Sequence, residues 1–174
     1  MNTNTVKINF RASNHNGFPS FKIKLDGQVL IDQTLDDSNW HYEFALPTCD
    51  RSLELQIERY GKTSENYSPE HDQILEITSI EIDGILVPNY VLDKHSQFEF
   101  DGQIHIGSRY FGPNGLWTWT FSTPILTYIL DEKITHEAQY NQDYEFPWAY
   151  KLGPNSVNTI LSKIQQAMDR IQRL

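Results

Sequence analysis

The segment from Leu53 to Val87 constrains the fold most, because two strand-like runs in it enclose one polar, carboxylate-rich loop. From Leu53 to Ile57, apolar residues alternate with polar ones, which is the period of a half-buried strand. The stretch Gly61–Asp72 carries almost no apolar side chain, and alternation resumes after it. This arrangement is typical of a β-sandwich that displays a recognition loop.

The same alternation recurs along most of the first 130 residues. The runs that show it are Val6–Phe10, Phe21–Leu25, Gln28–Leu35, Trp40–Leu46, Phe98–Phe100, Ile104–Ile106 and Leu116–Phe121. Asp-Gly pairs at 26–27, 83–84 and 101–102 are turn signals between such runs. About eight short strands at this spacing predict a mainly β chain, with an antiparallel, jelly-roll-like β-sandwich over residues 1–130.

Aromatic residues are 13% of the chain and partly offset a hydrophobic share of 39%, which is somewhat low for a globular protein. Trp117 and Trp119 stand two positions apart, so they share one face of a predicted strand. The pair therefore acts together, either as core or as an exposed platform on which sugar rings stack. We interpret both tryptophans as core.

The pattern changes after Pro124. Residues 125–130 fit a last strand or a short helix, and residues 131–154 lack sustained periodicity, which predicts an extended arm. From residue 155 onward, apolar residues recur every three or four positions, which predicts an amphipathic α-helix over residues 155–174. The predicted partner-binding side chains of the arm and this helix are Tyr140, Tyr144, Phe146, Trp148, Tyr150, Val157, Ile160, Ile164 and Ile171.

The predicted C-terminal helix has two possible destinations. An isolated helix of its length is marginal in water, so its apolar stripe must pack on something. It either lies back across the chain's own sandwich or docks on a partner, which includes another copy of the chain. The long arm before it leaves room for the second arrangement.

Charge and cysteine usage limit the partners. The net charge is −9, with acidic residues spread along the chain, and such a surface repels phosphate backbones. We therefore expect no nucleic-acid partner. The one cysteine, Cys49, excludes an intrachain disulfide. Neither a signal peptide nor an apolar run near the ~20 residues of a membrane span is visible, so we expect synthesis in a cytosol and no membrane insertion.

The polar loop carries the candidate recognition residues, which are Lys62, Asn66, Tyr67, Glu70 and Asp72. Carboxylate and amide oxygens are donors that Ca²⁺ takes, so Glu70 and Asp72 are also candidate metal ligands, although no EF-hand spacing is present. We favour an ordinary solvated loop without a metal over a metal site here.

No pattern in the sequence signals catalysis. The six histidines are scattered without the spacing of a zinc pair, and no nucleophile elbow is present. A second carboxylate cluster, Asp36, Asp37 and Glu43, has the same weak calcium character as the loop. We expect a protein that is not an enzyme and has no cofactor, with calcium as the one alternative left open.

One stretch of the chain resembles calcium-dependent xylan-binding carbohydrate modules. In those modules a strand and a Lys-Thr turn precede an acidic loop, and the next strand leads into a hairpin. The matching residues are Lys62, Thr63, Asp72, Leu75, Ile77, Ile80, Ile82, Asp83 and Gly84. This resemblance implies a β-sandwich that binds a host or plant-type polysaccharide with calcium.

A longer stretch resembles small β-sandwich virion proteins of tailed bacteriophages, particularly those of cyanobacteria. There a Tyr-Phe-Gly-x-Asn-Gly turn leads into an aromatic strand, as in residues 110–115 and 117–121. The resemblance implies a structural protein of a phage particle, located in the virion and made in the host cytoplasm. Its partners would be other virion proteins or copies of itself, held through the arm and the C-terminal helix. The alternative function is a carbohydrate-binding module.

Overall fold

A computed structural model describes residues 4–46 and 51–143 of the chain. Eleven strands and two α-helices lie in these two ranges. The strands are β1 (Asn4–Ala12), β2 (Ser20–Leu25), β3 (Gln28–Thr34), β4 (Asn39–Leu46), β5 (Ser52–Tyr60), β6 (Leu75–Ile82), β7 (Ile85–Leu86), β8 (Ser96–Phe100), β9 (Gln103–Ile106), β10 (Tyr110–Phe111) and β11 (Gly115–Ser122). The helices are α1 (Asn89–His95) and α2 (Ile125–Asp143), and Ser64–Asn66 form one turn of 3₁₀-helix.

The strands form two antiparallel sheets. The first has the order β10-β6-β1-β4, with β7 also paired to β6, and the second has the order β3-β2-β5-β11-β8-β9. Every strand pair is antiparallel. The predicted antiparallel sandwich is therefore confirmed.

The core lies between the two sheets and follows the predicted alternation. Phe10 of β1 and Phe21 of β2 meet there, with ring centroids 5.3 Å apart. Trp117 and Trp119 are fully buried, so the interpretation of this pair as core is confirmed. Burying one such aromatic side chain removes roughly 150–250 Å² from water, and these residues therefore contribute much of the hydrophobic stabilisation.

The three predicted Asp-Gly turns close hairpins between β2 and β3, β6 and β7, and β8 and β9. In each pair the aspartate has a φ between 49° and 53° and the glycine a φ between 69° and 79°. Two consecutive positive φ angles are the geometry of a type I′ turn, whose twist matches that of the flanking strands. The sequence signal and the backbone thus agree at all three turns.

The extended arm predicted for residues 131–154 is wrong over residues 131–143, because α2 continues through them. Ile125 and Ile129, four positions apart, are buried against the sandwich, and this spacing selects a helix rather than a last strand. Glu132, one turn further, contacts two basic residues of α1 at 2.7 and 2.9 Å. These contacts fix the first turns of α2, and good helix formers continue it.

Most of the predicted partner-binding residues lie outside the described residues. Tyr140 falls within α2, but side chains beyond residue 137 are not described. The others, which lie in the predicted arm and C-terminal helix, are Tyr144, Phe146, Trp148, Tyr150, Val157, Ile160, Ile164 and Ile171. Their roles stay predictions. In the described part of the chain, no helix is both long and apolar enough to cross a membrane.

Candidate functional site

Three loops meet beside the end of β5, and we call their combined surface the loop face. They comprise residues 13–17, 61–73 and 112–114. Hydrogen bonds tie the second loop to the first and to the third, and the buried Arg59 donates to the third. The candidate recognition loop is therefore held in place by hydrogen bonds to the neighbouring loops.

Arg59 supports the loop face from its buried side. Its side chain lies on the side of β5 that faces the core, and it is 1% exposed. The guanidinium donates to the carbonyl oxygen of Gly112, and to the carbonyl oxygen and Oε1 of Gln73 at 2.6 and 3.0 Å. Burial lowers the pKa of Arg59 to about 10, while the nearby Asp72 carboxylate acts in the opposite direction. The charge is thus retained at neutral pH.

Lys62 joins the second and third loops above Arg59. Its ammonium contacts the Asp72 carboxylate and donates to the carbonyl oxygen of Gly112 at 2.8 Å. The main chain of Lys62 also exchanges two hydrogen bonds with the Asn114 amide, at 2.9 and 3.0 Å. The Lys62 side chain is 13% exposed, so it is held in place while its charge still reaches the surface.

Asn66 is a bracing residue and not a recognition residue, which corrects the sequence prediction. It is 9% exposed. Its Oδ1 accepts from the Thr63 main chain and hydroxyl at 2.9 and 3.1 Å, and its Nδ2 donates to the carbonyl oxygens of His15 and Asn16 at 3.2 and 3.1 Å. Both ends of the amide are therefore used for hydrogen bonds inside the protein.

Tyr67 presents its ring to solvent and is 59% exposed. The Lys62 ammonium lies 5.9 Å from the ring centroid, within the range of a cation–π contact. An open depression of about 500 Å³ adjoins the ring, and Lys62, Thr63, Asp72, Phe100, Pro113 and Asn114 are among its lining residues. The structure thus brings together three of the predicted loop residues, Lys62, Tyr67 and Asp72, at one surface.

A second open depression, of about 540 Å³, continues this surface over the outer side of β5, β8 and β11. It shares Phe100 and Asn114 with the first. Its other lining residues include Lys24, Tyr60 and Leu116. Aromatic, apolar, charged and amide side chains all line the two depressions.

The carboxylates of the loop face do not gather into a calcium site. Within residues 4–46 and 51–143, no three His, Cys, Asp or Glu side chains lie close enough to hold a metal ion. The Asp72 carboxylate already contacts an ammonium, and Glu70 is an exposed residue of the turn between Ser68 and His71. Asp36 and Asp37 are likewise exposed. The two weak calcium candidates, Glu70 and Asp72, are therefore not supported as a site.

Several residues in or beside the loop face were not predicted from the sequence as site residues. Arg59 and Gln73 are buried polar residues below it, and Phe100 and Asn114 line it. The sequence does indicate Arg59, because it stands at the next core-facing position after Leu53 and Ile57 in the alternating pattern of β5. A charged residue at a core-facing position needs buried hydrogen-bond partners, and it therefore indicates a buried polar network.

No protein-family model matches the chain, and no curated protein matches it. One similar structure is the selenomethionine form of vCBM60, described in connection with circular permutation between two families of calcium-dependent carbohydrate binding modules. It is 14% identical to this chain, with a TM-score of 0.48, and the match covers 67% of this chain and 90% of that chain. Another is vCBM60 in complex with galactobiose, at 15% identity and a TM-score of 0.45, over 66% of this chain and 96% of that chain.

Proposed function

We propose that this chain binds a polysaccharide at the loop face and does no chemistry on it. The exposed ring of Tyr67, held beside the ion pair of Lys62 and Asp72, is the observation that carries the proposal. Sugar rings offer an apolar C–H face and a rim of hydroxyls. An aromatic ring complements the first, and charged or amide groups complement the second.

The shape of the surface favours a long ligand over a small one. Sites for small molecules are usually concave and bury most of the ligand. Here the two depressions are open, adjoin each other through Phe100 and Asn114, and measure about 500 and 540 Å³. Such a surface suits the interior of a chain of sugar units, which passes across it.

Binding to insoluble xylan, β-galactan and cellulose, followed by affinity electrophoresis with soluble forms, tests the proposal. Tyr67→Ala should weaken binding about tenfold, because stacking on one aromatic ring is worth on the order of 1.4 kcal/mol. Leu86→Ala is the matched control, since Leu86 is also 59% exposed but lies on β7, outside the loop face. If wild type binds none of these polysaccharides, or if the two variants bind alike, the proposal fails.

As a second candidate function we propose assembly into a larger particle, which would be a phage virion if the sequence resemblance holds. A row of apolar side chains on α2 favours it: Leu126, Leu130 and Ile134 are 51%, 46% and 62% exposed at four-residue steps. Contiguous exposed apolar surface usually marks an interaction site. Light scattering over a concentration series checks this, because Ile134→Asp should lower the mass of the full chain if copies associate there. If the mass of wild type stays at the monomer value over the whole concentration series, self-association is excluded.

A further inference from the structure

We infer that the Lys62 ammonium supplies the cation that organises the loop face, so that the surface forms and binds its ligand without a divalent metal. The part that concerns ligand binding rests on the proposed function, whereas the part that concerns the loops does not.

The position of the ammonium is that of a bound cation. It contacts the Asp72 carboxylate from the second loop and the Gly112 carbonyl oxygen from the third, the latter at 2.8 Å. A carboxylate and a main-chain carbonyl are the hard oxygen donors that Ca²⁺ prefers. Lys62 therefore bridges the two loops as a metal ion would, and it is covalently part of the second.

Several oxygen atoms nearby already accept hydrogen bonds within the protein. Ca²⁺ needs about 6–8 oxygen ligands. The Asn66 Oδ1 accepts from Thr63, and the Gln73 Oε1 accepts from Arg59. The Gly112 oxygen accepts from Arg59 as well as from Lys62. A metal ion would have to displace several of these internal hydrogen bonds.

The charge at this point also disfavours a second cation. Arg59 and Lys62 bring two positive charges to the Gly112 carbonyl, and the Asp72 carboxylate offsets one of them. Two like charges at this range repel a divalent ion, most strongly where burial limits screening. The ammonium also faces the Tyr67 ring, so the cation that holds the loops also orients the stacking residue.

Two measurements on the full chain test the inference. The first is the melting temperature of wild type in excess CaCl₂ and in excess EDTA, which should agree within error. The second is amide hydrogen exchange, in which Lys62→Met should speed exchange of residues 61–73 and 112–114 in both buffers. A saturable rise of the wild-type melting temperature with calcium would overturn the inference, as would unchanged loop exchange in Lys62→Met.

Lys22→Met is the matched control. Lys22 is also paired with an aspartate, at 3.2 Å, and its ammonium lies 5.4 Å from the centroid of a tyrosine ring, but it belongs to β2. Lys22→Met should leave hydrogen exchange of the loops unchanged.

Where wild type binds xylan or β-galactan, EDTA should not release the protein from the polysaccharide, and release by EDTA would contradict the inference. If wild type binds no polysaccharide, the proposed function fails, while melting and exchange still decide the role of Lys62.

Discussion

Removal of the buried guanidinium of Arg59 should be among the most damaging single changes in the sandwich. Arg59→Met keeps most of the apolar stem and deletes the charged group. Three hydrogen bonds are then lost: one to the carbonyl oxygen of Gly112, which keeps its bond from Lys62, and two to the carbonyl oxygen and Oε1 of Gln73. Because Gln73 is itself 4% exposed, water has little access to replace the lost donor.

The magnitude follows from two opposing terms. Hydrogen bonds from a charged donor are worth about 1.5–3 kcal/mol each, which gives about 4.5–9 kcal/mol for three. Burial of the cation opposes this, since the lowered pKa of Arg59, about 10, corresponds to about 3 kcal/mol. We therefore expect Arg59→Met to lower the free energy of unfolding by about 2–6 kcal/mol. For a chain of this size the melting temperature would fall by roughly 5–20 °C.

Urea unfolding, followed by tryptophan fluorescence and circular dichroism, measures this change. Arg11→Met is the control, because Arg11 also forms an ion pair, with Glu76, but its side chain is 62% exposed. Exposed pairs contribute about 0–1 kcal/mol, so the control should stay close to wild type. If Arg59→Met unfolded within about 0.5 kcal/mol of wild type, the account of Arg59 as the brace of the loop face would be wrong.

Three further predictions concern other parts of the chain. The hydrogen bond from the Tyr60 hydroxyl lowers the pKa of Asp32, so Tyr60→Phe should raise that pKa toward its ordinary value in an NMR titration, and an unchanged value would contradict it. Burial raises the pKa of Glu132, but hydrogen bonds from α1 outweigh it and leave that pKa lowered; its stabilisation is therefore present above the ordinary glutamate pKa and lost as pH falls through the folded value. Glu132→Gln should accordingly destabilise the chain at neutral pH and lose that difference in acid, as urea midpoints would report. Gly115→Ala should weaken the sandwich or prevent soluble expression, since a Cβ there would lie 2.4 Å from the Glu99 carbonyl oxygen; a wild-type melting temperature would refute this.

The sandwich was predictable because its signals are local. Alternation in β5 and β6 follows from one buried and one exposed face, and a type I′ turn needs residues such as Asp-Gly at adjacent positions. The helix α1 has no counterpart among the predicted elements, since its seven residues are too few to display a helical period. The extent of α2 depends on contacts of Ile129 and Glu132 with distant residues, which no local window contains.

The loop face was predictable only in part. The position of its second loop between β5 and β6, with Lys62, Tyr67 and Asp72, follows from polarity along the chain. The division between bracing and exposed residues does not, because it depends on long-range partners. Arg59 reaches Gly112 across 53 positions of sequence, and Asn66 turns inward to carbonyl groups 50 and 51 positions away. An asparagine in a polar loop carries no sign of such burial.

The most direct test of polysaccharide binding at the loop face is an NMR titration of the ¹⁵N-labelled full chain with xylo-oligosaccharides and galacto-oligosaccharides in EDTA. If the polysaccharide binds there, saturable amide shifts will cluster in residues 61–73 and 112–114 and extend toward Phe100, with little change on the outer side of β1 and β4. Shifts confined to another surface, or none with either set of oligosaccharides, would contradict it.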